Sequence, residues 1–310
     1  MGSFDALMPA EVAERAEAVG VVKANLPLPK MAALAVLAGA FIGLGANYSI
    51  VVTAGGGIAP GVARLLGGVV FSLGLVLVVV AGAELFTGNT LLVMAYASRR
   101  IGTRALLRAW AVVYAGNFVG AAGTALLVFW SGEHTQRDGQ VARRVLEIAE
   151  AKGSVAFGRA VVLGILANVL VCIAVWLCFA ARSVTDKVLA IVFPVSAFVA
   201  AGFEHSIANM FFLPLALLVR HDTTWPATPL DERTLTHVVP SDMVFGNLVP
   251  VTIGNIVGGS LLVGLVYWFV FRRRPGPDNS DVPDVPDDSD VPDDSDVPDD
   301  FDVPRQPDAE

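Results

Sequence analysis

Residues 201–209 of the chain read Ala-Gly-Phe-Glu-His-Ser-Ile-Ala-Asn, and residues 81–89 read Ala-Gly-Ala-Glu-Leu-Phe-Thr-Gly-Asn. Both stretches carry the pattern Ala-Gly-x-Glu-x-x-x-x-Asn inside long apolar segments. A carboxylate near the centre of a membrane helix costs about 2.5 to 3.5 kcal/mol on the translocon scale, so two at matching places indicate a function. Paired interruptions of this kind in two halves of a membrane protein are the best sequence indication of a transport site.

The composition is that of a protein that crosses a membrane several times. Of the 310 residues, 55% are hydrophobic and 16% are charged, which differs from the usual soluble domain. Six segments are long enough to cross a hydrocarbon core of about 30 Å. They are residues 31–52, 65–97, 108–130, 159–181, 188–219 and 246–271, of which the second and fifth hold the interruptions. No cleaved signal is expected, because the first thirty residues are charged and have no apolar core.

Three regions are expected along the chain. Residues 1–30 should hold a cytoplasmic amphipathic helix at 9–20, with Pro9 at its start and Gly20 at its end. Residues 31–274 form the six-span transport domain. Residues 275–310 repeat Asp-Val-Pro-Asp-Asp-Ser and are strongly acidic, which predicts a disordered tail that is solvated or that binds a metal or a partner.

The basic residues predict how the spans are oriented. Of the 21 Lys and Arg residues, thirteen fall on one side of the predicted spans and eight on the other. Since the side richer in Lys and Arg usually faces the cytoplasm, both termini are expected there.

A second repeated pattern supports a duplication. Residues 116–120 read Gly-Asn-Phe-Val-Gly, and residues 254–258 read Gly-Asn-Ile-Val-Gly. Each half therefore has an interrupted span followed by a span with this pattern. Three spans per half is an odd number, so the second half should be inverted. The glycine spacing indicates close helix packing, and each asparagine amide should bond to the interrupted backbone nearby.

The interruptions themselves predict a site for a small anion. Short helices that resume near Gly88 and Ser206 would begin inside the membrane, with the positive ends of their dipoles there. His205 is the only histidine within a predicted span. Histidine can exchange a proton near neutral pH, so we expect His205 to take part in the transport chemistry.

Four runs of the chain resemble one family. They are FSLGLVLVVVAGAELFTGNT (71–90), LGILANVLVCIAVW (163–176), GFEHSIANMFFLPLA (202–216) and NLVPVTIGNIVGGSLLVG (247–264). They are similar to the formate/nitrite transporter family, and most closely to its formate channel branch, over residues 9–273. The resemblance implies an all-α, aquaporin-like protomer with six spans and an inverted repeat. It also implies a homopentamer in the bacterial inner membrane, in which each copy has its own pore.

The resemblance also implies roles for individual residues. Phe71, Leu75 and Leu85 would line one apolar constriction and Phe198 the opposite one. His205 would lie between the constrictions, with Thr87 as its partner. The other implied site residues are Asn168 and Asn255 in the cavity, and Lys152 and Glu204 in a network that tunes the histidine. The expected partners are a monocarboxylate or nitrite anion, protons and the lipid bilayer, with no nucleic acid, metal, cofactor or enzymatic activity.

The sequence leaves the substrate open. Gly88 and Asn89 after Thr87 are similar to the nitrite branch, whereas the run Gly-Ile-Leu-Ala-Asn at 164–168 is similar to the formate branch. Hydrosulfide, acetate and lactate are further candidates, and either a channel or a proton symporter would fit.

Three other classes of protein fit the sequence less well. An aquaporin would carry Asn-Pro-Ala at both short helices, and this chain does not. An intramembrane enzyme built on Glu204 and His205 would need further metal ligands or a nucleophile, and no such motif is present. A scaffold that works through its acidic tail would leave the paired interruptions unexplained.

Overall fold

The computed structural model is all-helical and describes residues 6–222 and 235–273. Its described helices follow one another along the chain as α1 (Pro9–Ala24), α2 (Leu28–Thr53), α3 (Pro60–Ala81), α4 (Phe86–Asn89), α5 (Val93–Ala97), α6 (Thr103–Trp130), α7 (Gln140–Gly153), α8 (Phe157–Ala180), α9 (Val184–Ala201), α10 (Ser206–His221), α11 (Val249–Ile256) and α12 (Val266–Phe271). The predicted acidic tail, residues 275–310, lies outside the described residues.

Six of the helical segments are long and apolar enough to cross a membrane, as the sequence predicted. Five are single helices: α2, α3, α6, α8 and α9. The sixth runs from Asp242 to Phe271 and joins α11 and α12 with two π-helical stretches, Asp242–Leu248 and Val257–Leu265. The sixth span thus stays helical throughout, although its hydrogen-bond spacing changes twice.

The backbone leaves the helix at both repeated Ala-Gly-x-Glu stretches. Helix α3 ends at Ala81 and α4 begins at Phe86, while α9 ends at Ala201 and α10 begins at Ser206. Gly82 and Gly202 adopt left-handed backbone conformations with φ of 76° and 73°. Glycine is favoured there because it has no Cβ to clash with the carbonyl oxygen. The first short helix begins two residues before the predicted Gly88, and the second begins at Ser206 as predicted.

Glycines of the two Gly-Asn-x-Val-Gly patterns allow helices to touch through their backbones. A Cβ on Gly120 of α6 would overlap the carbonyl oxygen of Val36 in α2, and one on Gly258 would overlap that of Ile165 in α8. Without side chains at these points, neighbouring backbones can meet. The packing role predicted from the glycine spacing is therefore confirmed.

The N-terminal helix α1 is longer than predicted. The expected end at Gly20 is wrong, because α1 continues to Ala24. Gly20 is buried, and a Cβ there would lie 3.3 Å from that of Ala95. Its small size therefore serves the close approach of α1 to α5, and does not end the helix.

A buried carboxylate fixes α1 to the last span. Glu17 accepts hydrogen bonds from Ser98 Oγ at 2.9 Å, Arg100 Nη1 at 3.1 Å and Arg272 Nε at 2.9 Å. Burial raises the pKa of the Glu17 carboxyl. The three hydrogen bonds lower this pKa, the one from Arg272 most strongly, and together with the charge of Arg272 they hold the pKa below its usual range. Glu17 is therefore an ionised anchor for α1.

Helix α7 lies outside the six segments that the sequence predicts to cross the membrane. It lies between the third and fourth spans and buries one face through residues that recur at helical spacing: Val141, Ala142, Val145, Leu146 and Ala149. Its last turn carries Lys152. Because α1 precedes the first span and α7 follows the third, an odd number of crossings separates them. They lie on opposite membrane faces, called below the α1 face and the α7 face.

Candidate functional site

Asn117 of α6 holds the start of α4 in place. Its Oδ1 accepts a hydrogen bond from the backbone N–H of Phe86 at 2.9 Å. Its Nδ2 donates to the carbonyl oxygens of Ala35 at 2.7 Å and Glu84 at 2.9 Å. One side chain thus satisfies two backbone groups of the interruption, Phe86 N–H and Glu84 O, and ties them to the carbonyl oxygen of Ala35 in α2.

Asn255 of α11 makes the matching contacts at the start of α10. Its Oδ1 accepts from Ser206 N–H at 2.9 Å, and its Nδ2 donates to Gly164 O at 2.8 Å and Glu204 O at 3.1 Å. These bonds agree with the prediction that each asparagine would bond to interrupted backbone. Both amide hydrogens of Asn255 are engaged by backbone carbonyl oxygens, which gives this residue a supporting role at the start of α10. The cavity-facing role that the family resemblance implies stays a prediction.

Each interruption also carries a buried carboxylate with a lysine beside it. Glu84 and Glu204 are 4% and 5% exposed. Lys23 Nζ lies 3.3 Å from Glu84 Oε1, and Lys152 Nζ lies 3.0 Å from both carboxylate oxygens of Glu204. A buried carboxylate requires such compensation, because an unpaired one would be costly. Lys152 and Glu204, which the resemblance puts in one network, are thus in contact.

His205 and Thr87 connect the two short helices. His205 Nε2 lies 3.0 Å from Thr87 Oγ1. The other ring nitrogen, Nδ1, accepts a hydrogen bond from the backbone N–H of Ala208 at 3.1 Å, so His205 is the N-cap of α10. Since a backbone N–H can only donate, Nδ1 carries no proton in this arrangement. The neutral ring therefore carries its proton on Nε2, which donates to Thr87 Oγ1.

Asn168 of α8 packs beside this pair. Its Nδ2 donates to the carbonyl oxygen of Asn255 at 2.6 Å and lies 3.3 Å from that of Thr87. The same nitrogen is 3.2 Å from Thr90 Oγ1. Within the described residues its Oδ1 is buried and has no hydrogen-bond partner. Asn168 thus joins α8 to α4 and α11 and keeps one acceptor available.

The apolar residues group differently from the prediction. The ring centroids of Phe71 and Phe198 are 5.7 Å apart, so these two side chains are in contact. Leu75 and Leu85 instead line a cavity of about 250 Å³ beneath α1. These contacts put Phe71 beside Phe198, whereas the expectation grouped Phe71 with both leucines, opposite Phe198. The physical reason is that Phe71 lies one turn before Leu75 in α3, at the level where α3 packs against α9.

The cavity beneath α1 extends from α1 to the first interruption. Its walls are mostly apolar, while three cationic side chains and one acidic side chain face it: Arg15, Lys23, Lys187 and Glu84. This balance favours a small anion that also tolerates apolar surroundings.

Four residues of this arrangement were not named as site residues from the sequence: Lys23, Asn117, Asn209 and Asn247. Asn209 Nδ2 donates to Glu204 Oε2 at 2.7 Å and to Asn247 Oδ1 at 2.6 Å. A usable signal for Lys23 was its place just before the first span, where it matches Lys152 before the fourth. Asn247 carries no such signal, since nothing repeated surrounds it in the sequence.

Comparison with known proteins gives matches along most of the chain. The family model described as formate/nitrite transporter matches residues 10–269. The formate channel FocA of Escherichia coli is 46% identical over 274 residues, which are 87% of this chain and 96% of that protein. FocA of Haemophilus influenzae is 39% identical over 265 residues, 84% of this chain and 93% of that protein. A solved structure described as a pentameric formate channel with formate bound is similar with a TM-score of 0.75 and 40% identity, covering 79% of this chain and 98% of that one.

Proposed function

The chain belongs to the formate/nitrite transporter family, and we propose from this membership that it carries formate across a bacterial membrane through a path inside each copy. The observation that carries the proposal is the 3.0 Å contact between Thr87 and His205. It joins the starts of two short helices from different halves of the chain. The positive ends of the α4 and α10 helix dipoles therefore meet beside two neutral hydrogen-bond donors, the side chains of Thr87 and His205. This arrangement suits a small monovalent anion.

The path combines polar vestibules with a narrow apolar middle. On the α1 face, Lys23 and the cavity beneath α1 attract the anion. On the α7 face, Lys152 does the same. Phe71 and Phe198 form one constriction between the faces, and Leu75 and Leu85 form the other. Excluding water and ions from such a path requires bulky apolar side chains that touch one another.

Neutralising the substrate is the less costly way through the constrictions. Protonating a carboxylate whose acid has a pKa of about 3.9 costs about 4 kcal/mol at pH 7. Moving the bare anion into a dry apolar passage costs several kcal/mol even after relaxation, and tens of kcal/mol by a Born estimate. Formate therefore crosses as the neutral acid.

His205 and Thr87 support the proton transfer. The Nε2–H of His205 donates to Thr87 Oγ1, which leaves the hydroxyl proton of Thr87 for an oxygen of the anion. A proton given by the hydroxyl to formate is replaced from the Nε2–H of His205 in the same step, and Nε2 recovers its proton from a hydronium ion of the solution, so that the net transfer is one proton from solution to formate. Glu204 and Lys152 fix the potential around the histidine. Proton uptake of this kind makes transport depend on pH.

The larger arrangement follows from the same proposal. Five copies assemble in the inner membrane with both termini in the cytoplasm. The two halves of each copy are inverted relative to each other, which is supported by the matching contacts of Asn117 and Asn255. The chain performs transport and no catalysis.

Uptake of labelled formate and nitrite into proteoliposomes at pH 5.5 and pH 7.5 tests the proposal. We expect saturable formate uptake that is faster at the lower pH, with slower nitrite uptake. Uptake of nitrite alone would reassign the substrate, and no uptake of either anion by folded protein would overturn the proposal. Liposomes that contain Thr87→Val protein are the matched control, because valine keeps the shape of threonine and removes its hydroxyl.

A further inference from the structure

The two lysine–glutamate pairs differ in how their neighbouring asparagine is oriented. In the first half, Asn89 Nδ2 donates to Glu84 at 2.7 Å, and Asn89 Oδ1 accepts from Lys23 Nζ at 3.0 Å. Lys23 also contacts both Glu84 oxygens at 3.3 Å. An ammonium group has three N–H donors. The three oxygens around Lys23 can therefore take all of them.

The second half has the same pair, but its asparagine faces elsewhere. Asn209 Nδ2 donates one hydrogen to Glu204 Oε2 at 2.7 Å and the other to Asn247 Oδ1 at 2.6 Å. Its Oδ1 is buried and has no partner among the described residues. Lys152 Nζ bonds to the two Glu204 oxygens, and its other near neighbour is the ring of Phe212 at 5.4 Å. At least one N–H of Lys152 is thus not engaged by an oxygen in the part of the chain that the structure describes.

Asn247 decides this orientation. Its Nδ2 faces the carbonyl oxygen of Lys152 at 3.1 Å and Glu204 Oε2 at 3.3 Å, both of which can only accept. The amide of Asn247 cannot be flipped without losing both bonds, so its Oδ1 must face Asn209. Asn209 must then present its NH₂ group to Asn247, and its own oxygen makes no hydrogen bond with Lys152.

The first half has no counterpart of Asn247. When Gly116-Asn117 is aligned with Gly254-Asn255, the position of Asn247 corresponds to Ala109. Ala109 is buried and has no side-chain amide to direct Asn89. The asymmetry between the two lysines therefore follows from one residue of the last span.

We propose that Asn247 is a positioning residue that keeps one N–H of Lys152 available to the substrate anion and gives the α7 face the higher affinity for formate. The proposal rests on the proposed function and adds a difference in affinity between the two faces. Asn247 does not contact the anion; it acts through Asn209.

The test measures formate transport from each face separately, with right-side-out and everted membrane vesicles that contain the full chain. In Asn247→Ala, the oxygen of Asn209 is free to turn toward Lys152, as that of Asn89 does toward Lys23. Losing one hydrogen bond from a charged group weakens binding about tenfold. We expect the half-saturating formate concentration on the α7 face to rise about tenfold, with little change on the α1 face.

The mirror variant is Asn89→Ala, which removes the third oxygen from Lys23. We expect it to lower the half-saturating concentration on the α1 face severalfold, and this result does not depend on whether Asn247→Ala folds. Asn47→Ala is the matched control, because Asn47 makes an amide–carboxylate contact with Glu133 at 2.7 Å away from both pairs. It should change neither half-saturating concentration.

Two results would overturn the role of Asn247 if the parent protein still carries formate. In the first, Asn247→Ala shifts the half-saturating formate concentration equally on both faces. In the second, neither Asn247→Ala nor Asn89→Ala changes that concentration on either face. A folded parent protein that carries no formate would instead overturn the proposed function itself. The two failures are therefore distinguishable in the same set of vesicles.

Discussion

The rings of Phe71 and Phe198 meet almost at right angles, with an interplanar angle of 85° and 5.7 Å between centroids. Phe198 also lies nearly parallel to the imidazole of His205, with centroids 6.0 Å apart. The three rings form a continuous series from α3 through α9 to the N-cap of α10. The side chain with exchangeable protons is thus in direct contact with the apolar pair.

Replacing Phe71 by alanine should open this constriction. Edge-to-face contact of two aromatic rings contributes about 0.5 to 1.5 kcal/mol beyond burial, and either truncation removes it. We expect Phe71→Ala and Phe198→Ala each to raise the leak of larger and charged solutes in a liposome swelling assay. The double variant should add little to either single one. Phe193→Ala, in the same helix as Phe198 but 73% exposed, is the control, and an equal leak from it would contradict the assignment.

Truncation of Leu85 tests the other constriction. Leu85 is 2% exposed and lines the cavity beneath α1 together with Leu75. Leu85→Ala removes three side-chain carbons next to the start of α4, so we expect a leak like that of Phe71→Ala. Unchanged selectivity in the swelling assay would mean that Leu85 does not close the path.

Replacing His205 by asparagine separates its role as the N-cap of α10 from its role in proton exchange. Asparagine is a strong N-cap residue, so its side-chain oxygen can accept the Ala208 N–H bond and keep α10 in place. The variant has no group at this position that exchanges a proton near neutral pH. We expect the His205→Asn protein to fold and to lose the acceleration of formate uptake at low pH. A pH profile identical to that of the parent would exclude proton transfer through the imidazole.

The anchor at Glu17 should give a stability that depends on pH. Because hydrogen bonds hold the pKa of this carboxyl below its usual range, its contribution is fully present above the unfolded pKa of about 4.3 and is lost as the pH falls through the lower folded value. Glu17→Gln removes the charge and should destabilise the protein by about 1 to 2 kcal/mol at pH 7. The difference in melting temperature between parent and variant in detergent should shrink as the pH falls below about 4. A difference that stays constant with pH would show that Glu17 does not act through its charge.

Two glycines in α6 make a matched pair for the packing argument. Alanine at Gly120 would overlap the backbone of α2, whereas a Cβ on Gly123 has open space around it. We expect Gly120→Ala to destabilise the protein by about 2 to 3 kcal/mol through overpacking. Gly123→Ala should be neutral or stabilising by about 0.5 to 1 kcal/mol, since alanine favours the helix. The measurement is the thermal unfolding of both variants in the same detergent. Similar destabilisation of Gly120→Ala and Gly123→Ala would contradict the close contact between α2 and α6.

The spans and the helix starts could be predicted from the sequence, because both depend on local patterns. A run of apolar residues of sufficient length predicts a span, and the polar residues that follow Gly82 and Gly202 cannot continue an apolar helix. The family resemblance put Lys152 and Glu204 in one network, and the structure adds the contact between them. The end of α1 was missed because Gly20 has two physical uses, as a helix stop and as a close contact, and the sequence does not distinguish them.

Contacts between distant helices could not be predicted from a single chain. Phe71 and Phe198 meet because Gly68 of α3 lies against Ser196 of α9, and that pairing depends on the arrangement of all six spans. Asn247 was missed for the same reason. Its importance comes from the directions in which three amide and carboxylate groups face one another, and these directions appear only once the helices are packed.

The hydrogen bonds of the Asn117 and Asn255 side chains bear on the rate of transport. Each ties a short helix to two neighbouring segments through three hydrogen bonds, so neither interruption can shift without breaking several bonds at once. Movements of whole helices take microseconds to milliseconds, whereas side-chain rotations take picoseconds to nanoseconds. We therefore expect single turnovers to be timed by rotations of Phe71, Phe198 and Leu85 within a fixed frame, and the protein to conduct without a cycle of alternating shapes.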